Sequence, residues 1–582
     1  MKNQIKVSDL IIEFLEQKNI STVFTLSGGM MMHLLDSLSK SNKINYICNH
    51  HEQACSFSAE AYARAKNEIG VCFATSGPGS TNTITGIASA FVESTPMMVL
   101  TGQSNVSLTA RGLNNNNIRM VGTFEIDISE ISKPITKYSQ FIDDPKTILY
   151  HLEKAYNLAI SGRPGPVLLD IPLDVQSSLV SRDELVYYTI PPTDPLPVIN
   201  LQEVVNHIQK SKKPLILAGH GIRVANQVQE FRNLIQKLNI PIVSTQLAND
   251  VIPYNNNLYI GKVGLRGDRA GNHAVQTSDL IITLGSSLHV TTTGYKIENF
   301  APKAKIINID LDGNNLDKNQ LITDLQIKMD IKEFIISLSK YPLNLNTQLW
   351  RDELLNLKSK FEVIKEPHTV SNNSINTYFL VDLLSQITKE TDILITDSGS
   401  LYYILGQTFK PKSNQRVIVN GGLGAMGYAL PASIGAALAS PKKNIICLVG
   451  DGSLHTNIHE LSVIAHHNLN IKIIAVNNEG YASIRNTQES FLQNNIVAAD
   501  KTTVSFPNWE GICNSYCIPH YKSSKFNILK DLLNENLDKK GPKFFEVIVP
   551  SKVELLPSVK SVKNEDGSFN SSMLNEMSPK LN

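Results

Sequence analysis

The chain has 582 residues, 42% hydrophobic and 18% charged, which is enough for several domains with real cores in the proportions of an ordinary globular protein. A formal net charge of +1 argues against a nucleic-acid or membrane surface as the main partner. MKNQIKVSDL lacks the apolar centre of a signal peptide, and no apolar run is long enough for a bilayer, which predicts a cytoplasmic protein.

The predicted elements begin with an amphipathic helix over Val7–Gln17 and a strand over 22–26 that ends in Ser27-Gly28-Gly29. A strand over 45–48 runs into His50-His51-Glu52-Gln53, and a helix over 54–66 comes after it. Next are a strand over 70–75, the turn Ser76-Gly77-Pro78-Gly79-Ser80, a helix and a strand over 97–101. This alternation defines a first unit, 1–176, as a parallel sheet covered by helices. Ile190-Pro191-Pro192-Thr193-Asp194-Pro195 reads as a linker. A second, Rossmann-like unit spans 199–340, with strands over 214–218, 241–244, 280–284 and 305–309. Between 341 and 375 the pattern fades into a helix and the polar run SNNSINT, residues 371–377, which suggests a second linker. A third unit covers 376–550, and 551–582 is a weakly patterned arm or a disordered tail. The predicted fold class is therefore α/β, with three doubly wound parallel-sheet domains. Six cysteines are scattered, and Cys513 and Cys517 lack the second pair that a structural metal site would need.

The third unit carries the most specific stretch, IICLVGDGSLHTNIHELSVIAHHNLNIKIIAVNNEGY, residues 445–481. An apolar strand over 445–449 turns at Gly450-Asp451-Gly452, where Ser453 or Thr456 can cap a helix bearing Ile458, Leu461, Ile464 and Ala465. A second apolar strand over 471–476 delivers Asn477-Asn478-Glu479-Gly480 to the same sheet edge. Asp451 and Asn478 thus arrive side by side. A carboxylate, an amide oxygen and a nearby carbonyl suit Mg²⁺, with remaining positions left for phosphate or water. The glycines let the main chain approach a diphosphate. Taken alone, GDG is equally a tight turn.

Glu52 sits where a strand meets a helix, and a helix N-terminal charge would account for it in isolation. HEQ-to-AEAYAR, then TSGPGSTNTITGIASAF, STPMMVLTGQ and SGRPGPVLLDIPLDV, resemble the pyrimidine-binding domain of the acetolactate synthase-like thiamine-diphosphate (ThDP) family. GGLGAMG followed by YALPASIGAAL, together with the GDG and NN pair, resemble its diphosphate-binding domain. The resemblance covers nearly the whole chain and implies a central domain between them. It also implies that Glu52 is the acid–base group at N1′ of the aminopyrimidine and that Met426 is an apolar wedge under the cofactor. By the same likeness Asp451, Asn478 and the Gly480 carbonyl hold Mg²⁺, while Ser400, Gly424, Gly450, Gly452, Ser453 and Tyr481 line the cofactor. Gly28, Gln103, Phe124, Arg485 and Thr487 fall beside the substrate. The implied assembly is a homodimer or homotetramer with active sites between subunits.

Departures from the family pattern narrow the expected reaction. Thr487 stands where acetolactate synthases carry a tryptophan, Phe124 where they carry a glutamine, and Gly285-Ser286-Ser287-Leu288 lacks their FAD-contacting arginine. FAD is therefore left open. SGGMMMHLLDSL, SIRNTQESF and DGSFNSSMLNEMSPKL look like a branch serving surface-sugar biosynthesis. The implied reaction is decarboxylation of a 2-keto acid, with transfer of its two-carbon unit to a carbonyl acceptor such as a nucleotide-linked keto-sugar. A true acetolactate synthase, a simple 2-keto acid decarboxylase and a non-catalytic ThDP-binding regulator remain the alternatives. Arg485 could meet a carboxylate or phosphate, or serve a salt bridge. His50 and His51 could move protons or only bond within their turn.

Overall fold

The computed structural model describes residues 4–115, 117–192, 201–318, 323–343, 345–368, 374–492 and 495–581. They build three six-stranded sheets. In the first, the spatial order is Asn45–Cys48, Thr22–Thr25, Gly70–Ala74, Met97–Gln103, Pro166–Pro172, Tyr138–Phe141, every neighbour parallel. In the third it is Arg416–Val419, Ile393–Thr396, Ile445–Gly450, Ile471–Asn477, Lys543–Ile548, His520–Ser523, again all parallel. Both sheets take their strands in the order 2-1-3-4-6-5. The central sheet runs Tyr259–Lys262, Ile242–Ser244, Pro214–Ala218, Leu280–Leu284, Lys305–Asp310, Leu325–Lys328, the 3-2-1-4-5-6 order of dinucleotide-binding folds. The inner strands are continuous apolar runs, not alternating ones, because helices cover both faces of each sheet. In the third unit, for example, residues 445–449 are buried without a break.

The α/β expectation with three doubly wound parallel sheets is met. One local reading changes and two are filled in. The helix read over 54–66 begins at Glu52, because His51 Nδ1 accepts the Gln53 N–H at 3.0 Å and caps it. Between the first unit and the linker, Leu179–Ser181 pairs antiparallel with Gln4–Lys6, while 193–200 of the linker region lie outside the described residues. The segment 551–582 is a folded arm over its described residues. Ser558–Val559 pairs with Met577–Ser578, and Val559, Leu574 and Met577 are buried with Ile260, Val263 and Ala274 of the central unit and with Trp350 of the helix Gln348–Lys360 that follows it. Arg269 fixes the arm's far end by donating to the Pro579 carbonyl at 2.6 Å while its fork holds Glu366 at 2.6 and 2.9 Å.

The first and third units share one core. Helix Glu52–Lys66 lies against helix Ala429–Ala439, burying Cys55, Phe57 and Ala61 with Tyr428, Ala432 and Ala436. The close approach depends on Gly435, where an added Cβ would stand 2.0 Å from the Ser58 carbonyl oxygen. Gly435→Ala is therefore expected to cost ~1–3 kcal/mol despite the better helix propensity of alanine, because backbone must move. An unchanged urea midpoint would refute that packing argument. The six cysteines are free thiols, and no helix among the described residues is long and apolar enough to cross a membrane.

Candidate active site

In the third sheet the chain goes one way from Ile393–Thr396 and then the other to Ile445–Gly450, so the loops after these two adjacent strands flank the crevice where such sheets bind ligands. Asp451 comes after one strand and Asp397-Ser398-Gly399-Ser400 after the other. Asp451 is almost fully buried. Its Oδ1 accepts the Gly452 N–H at 2.8 Å, and its Oδ2 accepts those of Asn478 at 3.0 Å and Gly480 at 3.3 Å. Burial pushes the carboxyl up to about 6 against the pull of these donors. Asp451 and the Asn478-Gly480 loop are thus brought together as the sequence implied.

The oxygen set is one carboxylate, one amide and backbone carbonyls. No group of three or more His, Cys, Asp or Glu among the described residues could hold a metal, so an ion here would keep positions for phosphate and water, as Mg²⁺ does. The surroundings fit a diphosphate. A Cβ built on Gly424 (φ +72°) or Gly450 meets nothing within 4 Å, and one on Gly399 (φ +79°) meets only Ser483 Cβ at 4.0 Å. Ser400 Oγ, at the first turn of helix Ser400–Thr408, is buried without a hydrogen-bond partner. Tyr481 packs its ring on Gly452, where a Cβ would come within 2.3 Å of Cε1.

Ser453 does not cap a helix. The helix starts at Asp451 with Gly450 as N-cap, and Ser453 Oγ instead donates to Asp397 and accepts the Gly427 N–H at 2.7 Å. Thr456 Oγ1 bonds back to the Ser453 carbonyl at 2.7 Å. Ser453 therefore anchors the loop bearing Met426, whose side chain stays 38% exposed between Gly424 and Gly427. Asp397, wholly buried and pushed up to about 7 by burial, is a site residue that no motif singled out. Its position directly after an apolar strand at a chain reversal was the available signal.

At the edge of the first unit, Glu52 is buried, and its Oε2 accepts from Asn82 Nδ2 at 3.0 Å. Gly79 keeps room beside it, since a Cβ there would lie 3.3 Å from Oε1. Gly28 packs against Thr75, leaving no space for a side chain, and Met30 N–H donates to Thr75 Oγ1 at 3.2 Å. Phe124 is 63% exposed in a left-handed conformation, φ +60°. Gln103 is fully engaged inside the unit: Nε2 donates to Asp170 Oδ2 at 3.0 Å and the Ile126 carbonyl at 2.8 Å, and Oε1 accepts from Ser104 N–H at 3.0 Å. With 1% exposure it has no group left for a substrate.

Arg485 is likewise committed, to oxygens of the 478–480 loop and its neighbours. Thr487 is exposed, with Oγ1 bonded to the Ser483 carbonyl at 3.0 Å. His50 N–H donates to Glu460 Oε1 at 2.8 Å, and the side chain of His51 is the cap described above. Among the described residues no hydrogen bond joins Glu52, Gly28, Gln103 or Phe124 to the Asp451 set. The site residues fall into two groups on two sheet edges.

Asp170 and Glu460 are buried carboxyls pushed up to about 7 by burial. The stability such a group contributes is complete below its ordinary value of about 4 and is lost by the time pH has risen through about 7. His151 and His220, pushed down to about 4 and about 3 by burial, act in the opposite sense. A difference measurement isolates one carboxyl from the rest. Asp170→Asn removes its share of the pH dependence, so the urea midpoint of the variant minus that of wild type is expected to rise between about pH 4 and 7 and to be level above. A difference that falls over this window would contradict the sign.

Against known families, residues 5–126 match "Thiamine pyrophosphate enzyme, N-terminal TPP binding domain", residues 201–338 the central domain and residues 397–547 the C-terminal TPP binding domain. The chain is thus an enzyme of the thiamine pyrophosphate class, thiamine pyrophosphate being ThDP. It is 32% identical over 575 residues to acetolactate synthase 2, chloroplastic, of Nicotiana tabacum, covering 96% of this chain and 84% of the relative. The acetolactate synthase large subunit of Lactococcus lactis is 32% identical over 567 residues, covering 96% and 95%. Within that class the chain belongs to the acetolactate synthase-like family.

Proposed function

We propose that this enzyme decarboxylates a small 2-keto acid, pyruvate first among them, and transfers the two-carbon unit to a carbonyl acceptor. The observation that carries this reading is the pairing of Asp451 with the Asn478-Gly480 loop beside open glycines and the unpartnered Ser400 hydroxyl. ThDP, when bound, supplies the thiazolium carbon that adds to the keto group. The chain supplies the rest. Asp451, Asn478 and the Gly480 carbonyl would hold Mg²⁺ against the diphosphate, with Gly424 and Gly450 leaving room for it. Met426 would press an apolar surface on the cofactor. Glu52 Oε1, beside Gly79, would take and return a proton at the aminopyrimidine, while Asn82 keeps Oε2 oriented.

The family likeness supports a site completed between two copies, in a homodimer or homotetramer, with Glu52 from one and Asp451 from the other. Phe124 and Thr487, standing where acetolactate synthases carry glutamine and tryptophan, favour an acceptor other than a second pyruvate. A nucleotide-linked keto-sugar is the acceptor we put forward. The test is product analysis with purified protein, ThDP, Mg²⁺ and pyruvate, with and without a nucleotide-linked keto-sugar. A branched-sugar adduct would support the reading. Acetolactate from pyruvate alone would make this a true acetolactate synthase, and free aldehyde a decarboxylase. Bound ThDP with no carbon dioxide released from any 2-keto acid would leave a regulator.

A further inference from the structure

We propose that Arg485 is a positioning residue that sets the geometry of the metal loop and does not contact substrate. This rests on the reading that Asp451, Asn478 and Gly480 hold the metal. Arg485 lies on helix Ala482–Phe491, one turn beyond that loop, and is 6% exposed. Its Nη2 donates to Asn478 Oδ1 at 2.9 Å, to the Asn478 carbonyl at 3.0 Å and to the Ser551 carbonyl at 2.6 Å. Its Nη1 donates to the carbonyls of Ala499 at 2.9 Å and Glu479 at 3.3 Å. No carboxylate stands within ion-pair distance among the described residues. The salt-bridge explanation therefore fails, and so does a free anion-binding fork.

The acceptors show what the guanidinium does instead. A side-chain amide can turn either its oxygen or its nitrogen toward a cation, and only the oxygen is a ligand. A donor fixed 2.9 Å from Asn478 Oδ1 fixes which end of the amide is the oxygen and leaves that oxygen's second lone pair for the ion. The same fork holds the Asn478 and Glu479 carbonyls, so the peptide units on either side of the ligand cannot rotate independently. Gly480, at φ +146°, packs directly over it: a Cβ would stand 2.2 Å from Nη1. The loop, the 499–500 segment bridged to Gly480 and the start of the arm at Ser551 thus meet on one planar group. A positive charge does nothing to attract another cation, so the contribution is geometric, and lysine cannot reproduce it because it lacks the rigid fork.

Arg485→Lys tests this while keeping the charge. Mg²⁺ would be titrated by calorimetry into full-length protein saturated with ThDP, beside wild type and Asp451→Asn. Outer-shell partners of metal ligands typically contribute ~10–100-fold, so Arg485→Lys is expected to raise the Mg²⁺ dissociation constant ~10–100-fold. The melting temperature of the cofactor-free variant is expected to fall by a few degrees through the lost carbonyl bonds, and excess Mg²⁺ should still restore ThDP binding to the folded variant. Should the lysine variant not fold, Arg485→Met, which keeps an unbranched stem but has no donor for Asn478, carries the same comparison. Unchanged Mg²⁺ affinity in the variant, with Asp451→Asn losing it, would overturn the role of Arg485. Unchanged affinity in Asp451→Asn would overturn the metal site itself.

Discussion

Replacing Glu52 by glutamine is expected to lower carbon dioxide release from the preferred 2-keto acid by ~10²–10⁴-fold, the usual range for a lost general acid–base group. The substitution is nearly isosteric. Glutamine can still accept from Asn82 Nδ2 through its own carbonyl, so the bond at 3.0 Å need not be lost and the helix start at His51-Glu52 is undisturbed. ThDP and Mg²⁺ binding should therefore persist while turnover collapses. Steady-state kinetics paired with a binding titration separates the two. A variant as active as wild type would remove Glu52 from the chemistry, and one that no longer binds ThDP would make Glu52 a cofactor contact first.

Asp451→Asn should fail at the earlier step. Asparagine keeps one acceptor for the N–H groups of Gly452, Asn478 and Gly480 but loses the anionic ligand. Metal-dependent ThDP binding is expected to weaken at least ~100-fold, since the only carboxylate of the proposed set is gone. Because Glu52 and Asp451 lie in separate groups, the two dead variants should also complement each other. Mixed in equal amounts and allowed to exchange subunits, they should regain about a quarter of wild-type activity, because about half of the dimers are mixed and each of those holds one intact site. No recovery after proven exchange would place both residues in the same site of one chain.

Much of this was legible in the sequence, for identifiable reasons. Apolar runs such as 445–449 and 280–284 have no stable place except as buried parallel strands once helices alternate with them, and their ends determine where Asp451 must lie. Glycine motifs were equally informative, since Gly424 and Gly427 adopt left-handed conformations. What the sequence hid was competition for polar groups. Ser453 has ideal capping chemistry, yet Asp397, far away in the chain, takes its hydroxyl. Gln103 and Arg485 have groups suited to a substrate, yet Asp170 and the loop carbonyls claim them. Such partners come from long-range packing, which no local pattern encodes. The docking of the arm was illegible for a related reason: its apolar residues are sparse, and the surface they complete belongs to another unit.

That arm has a bearing on the order in which the molecule is made. The central sheet is finished with Leu325–Lys328, but the cluster holding Ile260, Val263, Ala274 and Trp350 is completed by Val559, Leu574 and Met577. A ribosome must therefore emit the whole third unit before the second can close its core. During that interval the nascent central unit carries open apolar surface, the state in which domains of long chains misassemble or are held by chaperones.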